Sequence, residues 1–261
     1  MSESTKGRID ESANGRPWLT VLMPAYNEAS GLARSVGLVL AKLRDLAIPA
    51  ELLIVDDGSR DGTAEIVDEM VAAEADVRVI HHPDNRGIGG GVVTGFAAAR
   101  GEWLILIPAD LALDLDELHK YWEAAPQADI VVGIRSDRSD YDLMRKVVSW
   151  VNIRAIQVLF GMEQRQFNYI SMYRLDALRE MRIEYWHSAF FYAEIMIKAE
   201  ALGRRLVEVD IQYVPRDSGE ATGAKPSFIL RTTTDMLRFW WRWVRLGPRG
   251  AATYCRLAEA S

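Results

Sequence analysis

From residue 18 onward, continuous apolar runs alternate with stretches of helical periodicity. The runs at 18–23, 51–56, 77–81, 103–107 and 128–134 read as buried strands. Between them, amphipathic spacing predicts helices over 29–46, 61–75 and 89–99, and a further helix starting near Asp114 and Asp116. Asp61-Gly62-Thr63 supplies a cap and a turn before the second helix. Strand–helix alternation of this kind predicts an α/β fold, a mostly parallel sheet flanked by helices and wound by right-handed crossovers.

After Arg135 the pattern changes. Leu143, Val147, Trp150, Val151, Ile156 and Leu159 mark a helix over 141–160, followed by short strand-like and helical pieces. A helix over 188–202 ends at Gly203, a good left-handed terminator. A strand over 206–214 and a polar loop over 215–225 follow. Pro226 then suits the first position of a helix running to about 246 and stopping at Gly247-Pro248. Three regions result: a polar tail, 1–16, expected to be disordered; a folded unit, 17–225; and an amphipathic helix with its tail, 226–261.

Composition narrows the class. The 261 residues suffice for one large α/β domain, with 49% hydrophobic and 26% charged residues. A net charge of −6 argues against a general nucleic-acid binder. The single cysteine, Cys255, excludes an internal disulfide and fits a reducing cytoplasm. No basic start joined to an apolar core marks a signal peptide, and no apolar run approaches the roughly 18 residues of a spanning helix. A cytoplasmic protein is expected. Its oligomeric state is left open, a homo-oligomer included.

Two polar clusters end the first two strands: Met23-Pro24-Ala25-Tyr26-Asn27-Glu28 and Ile54-Val55-Asp56-Asp57-Gly58-Ser59. Open α/β sheets bind ligands at the carboxyl ends of their strands. A carboxylate there can accept hydrogen bonds from a base or ribose, and Tyr26 can stack on a ring. In this order and spacing the pair resembles the nucleotide-sugar half of glycosyltransferase family two, the inverting GT-A enzymes, and within it the dolichyl-phosphate-mannose-synthase-like branch.

The resemblance implies a GT-A fold and a nucleoside-diphosphate sugar donor bound by Pro24, Tyr26, Glu28, Asp56, Asp57 and Arg86. Arg86 stands in an Asn-Arg-Gly-x-Gly turn, where the family often has lysine in place of Ile88. Asp110 matches the second aspartate of the family's Asp-x-Asp, which implies a divalent cation, Mg²⁺ or Mn²⁺, on the diphosphate. Pro108 stands at the first position and Ala112 replaces a frequent downstream ligand. The segment from Arg216 to Lys225 resembles the Arg-x-x-Gly-x-Ser-Lys loop, so Arg216 and Lys225 are expected on phosphates. Glu194 matches an acidic residue beside the acceptor and is a candidate catalytic group. Its other reading is a buried acid paired with an arginine. Arg165 is followed by Gln166 where the family has aspartate. The implied reaction is inverting transfer to a polyprenyl (lipid) phosphate at the cytoplasmic membrane face. Alternatives are a transferase with a soluble hydroxyl acceptor and a non-catalytic nucleotide-sugar-binding module.

The four histidines show no metal-ligand spacing, and His81-His82 read as scaffold. In the last helix Arg231, Arg238, Arg242, Arg245 and Arg249 fall on one stripe, interrupted by Asp235, with tryptophans on other faces. That pattern fits a helix lying on anionic lipid through 226–249, or one packed on the domain or a second subunit.

Overall fold

A computed structural model describes residues 16–138, 141, 143–214 and 226–255, without the side chains of 248–253. All but Arg16 of the tail expected to be disordered, and the loop carrying Arg216 and Lys225, lie outside the described residues. The elements run β1 (Leu19–Ala25), α1 (Leu32–Asp45), β2 (Ala50–Asp56), α2 (Thr63–Ala73), β3 (Val77–His81), α3 (Ile88–Ala98) and β4 (Trp103–Leu106). A 3-10 turn (Leu115–Leu118), α4 (His119–Ala124), β5 (Ile130–Arg135) and α5 (Leu143–Phe160) follow. The chain continues through β6 (Ser171–Arg174), α6 (Leu175–Arg179), α7 (Phe190–Ala201), β7 (Leu206–Ile211) and α8 (Pro226–Cys255).

The strands form one sheet in the order β3-β2-β1-β4-β6-β5-β7. All neighbours are parallel except β6, which runs antiparallel to both β4 and β5. The strand-helix alternation does not reveal β6: a four-residue strand, Ser171–Arg174, is too short to carry a period. Because β6 reverses between them, β4 and β5 point the same way, and the carboxyl ends of β1, β2, β3, β4, β5 and β7 share one edge.

Strand alternation divides the core. Leu19, Val21, Met23, Leu52, Ile54, Trp103 and Ile105 pack under α1, α2 and α4, whose inward faces include Val36, Val39, Leu43, Val67, Tyr121 and Trp122. Leu22, Leu53, Val55, Leu104, Leu106, Ile130 and Val132 face α3, α5, α7 and α8 through Val92, Phe96, Ile156, Phe190 and Phe239. Each fully buried aliphatic chain contributes roughly 1.5–3 kcal/mol, so two-sided burial fixes the strands and hence the edge that carries the polar loops.

α8 departs from expectation at its end. Gly247, at φ 62 and ψ 177, breaks the helix where the Gly-Pro pair predicts, but a second helical stretch runs on to Cys255. Its inward stripe is Thr232, Met236 and Phe239. Phe239 stacks with Trp243 at 5.3 Å and meets Phe190 at 5.4 Å, so the aromatic faces divide between the domain and solvent. Trp241 remains 55% exposed.

Candidate active site

Loops after β1 and β2 are stitched together. The Asn27 amide donates to the Ser59 hydroxyl at 2.9 Å, and the Arg60 amide donates to the Asn27 side-chain oxygen at 2.9 Å. Glu28 N–H reaches Thr63 Oγ1 at 2.9 Å, and Ala29 N–H reaches Asp61 Oδ2 at 3.1 Å. Asn27 adopts φ 55, a left-handed conformation that asparagine tolerates. This bonding leaves Tyr26 at the tip of β1, 44% exposed, with its ring presented at the edge.

Asp56 and Asp57 are both expected on the donor, but the structure sends them to opposite faces. Asp56 accepts from the Ser59 amide at 3.1 Å and lies 2.8 Å from His81 Nδ1, on the α2 side. His81 Nε2 lies 3.2 Å from Asp68. A polar groove of about 320 Å³ there is lined by Asp56, Ser59, Arg60, Asp68 and His81. Burial raises the Asp56 carboxyl, but the bonds from Ser59 and His81 outweigh it and hold the group below the usual range. Burial likewise lowers His81, and the bonds to Asp56 and Asp68 overcome it, holding the ring above its usual value.

Asp57 faces α3. Its Oδ1 lies 2.6 Å from His82 Nδ1 and accepts the Arg86 amide at 3.0 Å. His82 Nε2 lies 2.9 Å from the Thr94 hydroxyl on α3. His82 thus does more than end a strand: it fixes the Asp57 carboxylate and ties it to the helix. The sequence reading of His81-His82 as scaffold misses this role; a histidine at a strand end, 25 residues after an aspartate at the neighbouring strand end, is the signal that could have found it.

α3 begins at Ile88 directly beyond the Arg86 turn, with its first amides at the same edge as Tyr26 and Asp57. Pro24 packs against it: a Cβ at Gly91 would sit 3.4 Å from the Pro24 Cβ. Gly89 has to be glycine, because a Cβ there would overlap the carbonyl of Trp186. The Arg86 guanidinium lies 5.5 Å from the Trp186 ring centroid, so Trp186 walls the turn from outside. An 11-residue helix with its amino end exposed to this edge is a natural place for phosphate oxygens.

Asp110 follows β4, the other neighbour of β1, and is half-buried beside Leu111, which adopts φ 46. Pro108, Ala109 and Ala112 are its neighbours in sequence, and Tyr169 donates its hydroxyl to the Ala112 carbonyl at 2.9 Å. Arg135, at the end of β5, is buried, its guanidinium 3.2 Å from the Tyr213 ring and 4.8 Å from Tyr141. Gln166 pairs with the Arg135 backbone in both directions, accepting its N–H at 3.1 Å and donating to its C=O at 2.9 Å. An ionised aspartate could not make the second bond.

Glu194 does not join this edge. It is fully buried in α7, 2.7 Å from Lys198 Nζ, and accepts the amides of Glu184 and Tyr185 at 2.9 Å each. The buried-acid reading therefore describes it, with a lysine where an arginine was expected. Burial raises its carboxyl above the usual value, against the pull of Lys198. Both oxygens are bonded within the protein, so Glu194 stands apart from the groups gathered at this edge.

The profile of Glycosyl transferase family 2 matches residues 20–194. The chain is 30% identical over 210 residues to the undecaprenyl-phosphate mannosyltransferase of Micrococcus luteus, covering 77% of this chain and 85% of that protein. It is also 30% identical over 215 residues to the undecaprenyl-phosphate 4-deoxy-4-formamido-L-arabinose transferase of Edwardsiella ictaluri. That match covers 78% of this chain but 62% of the relative, so the chain spans under two thirds of the longer protein. Among solved structures, glucosyl-3-phosphoglycerate synthase from Mycobacterium tuberculosis, in complex with Mn²⁺, UDP and phosphoglyceric acid, superposes with TM-score 0.65. At 17% identity over 91% of this chain and 81% of that one, this likeness shows a shared fold. The motif pair, the edge they build and the family match agree: the chain belongs to glycosyltransferase family 2.

Proposed function

We propose that the protein transfers a sugar from a nucleoside-diphosphate donor to a polyprenyl phosphate, with inversion. One observation carries the reading: Tyr26, Asp57, Arg86 and Asp110 stand on loops after four adjacent strands, β1, β2, β3 and β4, at one edge, beside the amino end of α3. Tyr26 and Asp57 would hold the nucleoside, and Pro24 and Glu28 shape the β1 loop under it. Arg86 and the α3 amides would face the diphosphate, with Arg216 and Lys225 as further phosphate ligands. Asp56 supports the β2 loop from the far face.

The donor set suits a hard divalent cation. Asp110 offers a carboxylate, and no three His, Cys, Asp or Glu gather among the described residues. Asp110 would hold Mg²⁺ or Mn²⁺, with further oxygen ligands coming from the donor's diphosphate. When bound, such an ion neutralises charge on the leaving diphosphate.

A phosphate acceptor accounts for the absence of Glu194 from the edge. With a second pKa of about 6, a phosphate monoester is largely ionised and nucleophilic without a base. Its oxygen attacks the anomeric carbon as the carbon–oxygen bond to the diphosphate breaks, and nucleoside diphosphate leaves. A hydroxyl acceptor would need a carboxylate base that the described edge does not offer in Glu194. The names of the Micrococcus and Edwardsiella relatives support the same acceptor class. No helix among the described residues is long and apolar enough to cross a membrane. The exposed side of α8 is the proposed contact with the inner membrane face.

Labelled nucleotide sugars supplied with membranes test this reading. Label in organic-extractable lipid is the expected result. Label confined to water-soluble product, or no transfer from any donor, overturns it.

A further inference from the structure

A second groove, of about 520 Å³, opens between α8 and the segment before α7. Arg231, Arg238, Ser227 and Thr234 line one wall, and His187 stands opposite. Each α8 pair is seven residues apart, so two turns of the helix present matching cation and hydroxyl groups to the same side. We propose that this groove binds the phosphate of an anionic membrane phospholipid, a second lipid besides the acceptor. The membrane setting rests on the function proposed above; the groove itself does not belong to the donor edge.

Two acids also line it, and they do not cancel its charge. Glu184 is already claimed by Arg242 at 3.2 Å, by Lys198 at 3.6 Å and by the Tyr254 hydroxyl. Asp235 is largely buried and sits 3.9 Å from Arg238, leaving one carboxylate against two guanidiniums. The field at His187 has the same sign: burial lowers its pKa, and Arg231 and Arg86 lower it further against Asp235. Arginine forks and hydroxyls are the donors a phosphodiester accepts.

Lipid is favoured over a free phosphate by what borders the cations. Leu230, Leu237, Trp241 and Val244 are 69%, 47%, 55% and 57% exposed, and their spacing places them on one stripe of α8. Arg231, Arg238, Arg242 and Arg245 each follow one of them by a single residue, so the basic stripe lies alongside the apolar one. A headgroup in the groove would leave its chains against that apolar stripe. The donor turn lies on the other side of a thin wall. Trp186 carries the Arg86 guanidinium, and the adjoining His187 ring, 3.3 Å away between centroids, lines the groove.

Sedimentation with vesicles of phosphatidylcholine alone or mixed with phosphatidylglycerol tests the proposal on the full chain. Anionic vesicles should bind the protein. Arg231→Gln with Arg238→Gln should weaken that binding at least about tenfold more than Lys146→Gln with Arg245→Gln, which removes equal charge outside the groove. Nucleotide binding by both double variants should match wild type, showing that they fold. Equal losses from the two pairs would reduce the groove to diffuse attraction and overturn the proposal. So would saturable binding of free glycerol phosphate as tight as that of vesicles, which would mark a soluble-phosphate site. Loss of transfer to detergent-dispersed polyprenyl phosphate in the groove pair would also overturn it, by making the groove the acceptor's own. Wild-type protein that binds anionic vesicles yet transfers to no lipid would instead strike the proposed function and leave the groove standing.

Discussion

The imidazole of His82 holds the Asp57 carboxylate at 2.6 Å, and both side chains are buried. With the carboxylate ionised, Nδ1 carries the proton and Nε2 accepts from the Thr94 hydroxyl on α3. The aspartate at the proposed base-binding position is therefore oriented by the same helix whose amino end faces the proposed diphosphate. Replacing His82 with leucine should weaken nucleoside diphosphate binding about tenfold, the value of one hydrogen bond to a charged group. Titration calorimetry reads this directly, and unchanged affinity would remove Asp57 from the nucleotide contacts.

Asp110→Asn keeps the shape of the side chain and removes its charge. Turnover should fall about a hundredfold or more, several kcal/mol of lost charge stabilisation, and Mn²⁺ should no longer stimulate donor binding. Thermal melting should be unaffected. Full turnover in this variant would place the cation on other residues.

Glu194 and Lys198 form a fully buried pair. Breaking it by Lys198→Met should cost about 3–5 kcal/mol of stability, because the acid is left uncompensated. Glu194→Gln should lower the melting temperature while kcat, measured well below it, stays near wild type. A large kcat loss in a well-folded Glu194→Gln protein would return this residue to the catalytic set.

The Asp56–His81–Asp68 chain sets a pH window. His81 is raised in the folded state, so its contribution is whole below its unfolded value of about 6.5 and fades as pH climbs through the raised one. Asp56 is lowered, so its contribution is whole above about 3.9 and fades as pH drops through the lowered one. Both are fully present between about pH 4 and 6.5. The His81 ring is a third exposed and screened by water, so its share is under about 1 kcal/mol. Urea denaturation at pH 6 and at pH 8.5 should show this loss in wild type but not in His81→Gln, and equal slopes in the two proteins would refute it.

The first hundred residues were legible because their strands are buried on both faces and their helices on one, so each period is clean. β1, β2 and β3 begin and end within two residues of expectation. The second half was harder. β6 is four residues long, and its reversal is set by pairing with β4 and β5, which no local pattern encodes. The divergence of Asp56 and Asp57 was legible in principle, because neighbours at a strand end alternate between faces, although both were expected on the donor. Glu194 read equally as a catalytic group or a buried acid; its complete burial, which only packing shows, commits it to Lys198 one turn on in the same helix. Gln166 looked like a departure from the family, yet its amide supplies a donor that the family's carboxylate lacks.

The break at Gly247 turns the helical stretch up to Cys255 back on the body. The Arg182 amide donates to the Cys255 carbonyl at 3.1 Å, Cys255 is buried, and the Tyr254 hydroxyl bonds Glu184. Tyr254 and Cys255 thus act as a clasp on the segment that carries Trp186 and His187. Trimming the chain at the break would release that clasp, loosening the partition between donor turn and groove together. Lost activity after such a cut would report a slack wall as readily as a lost membrane contact, so the outward stripe of α8 has to be probed one side chain at a time.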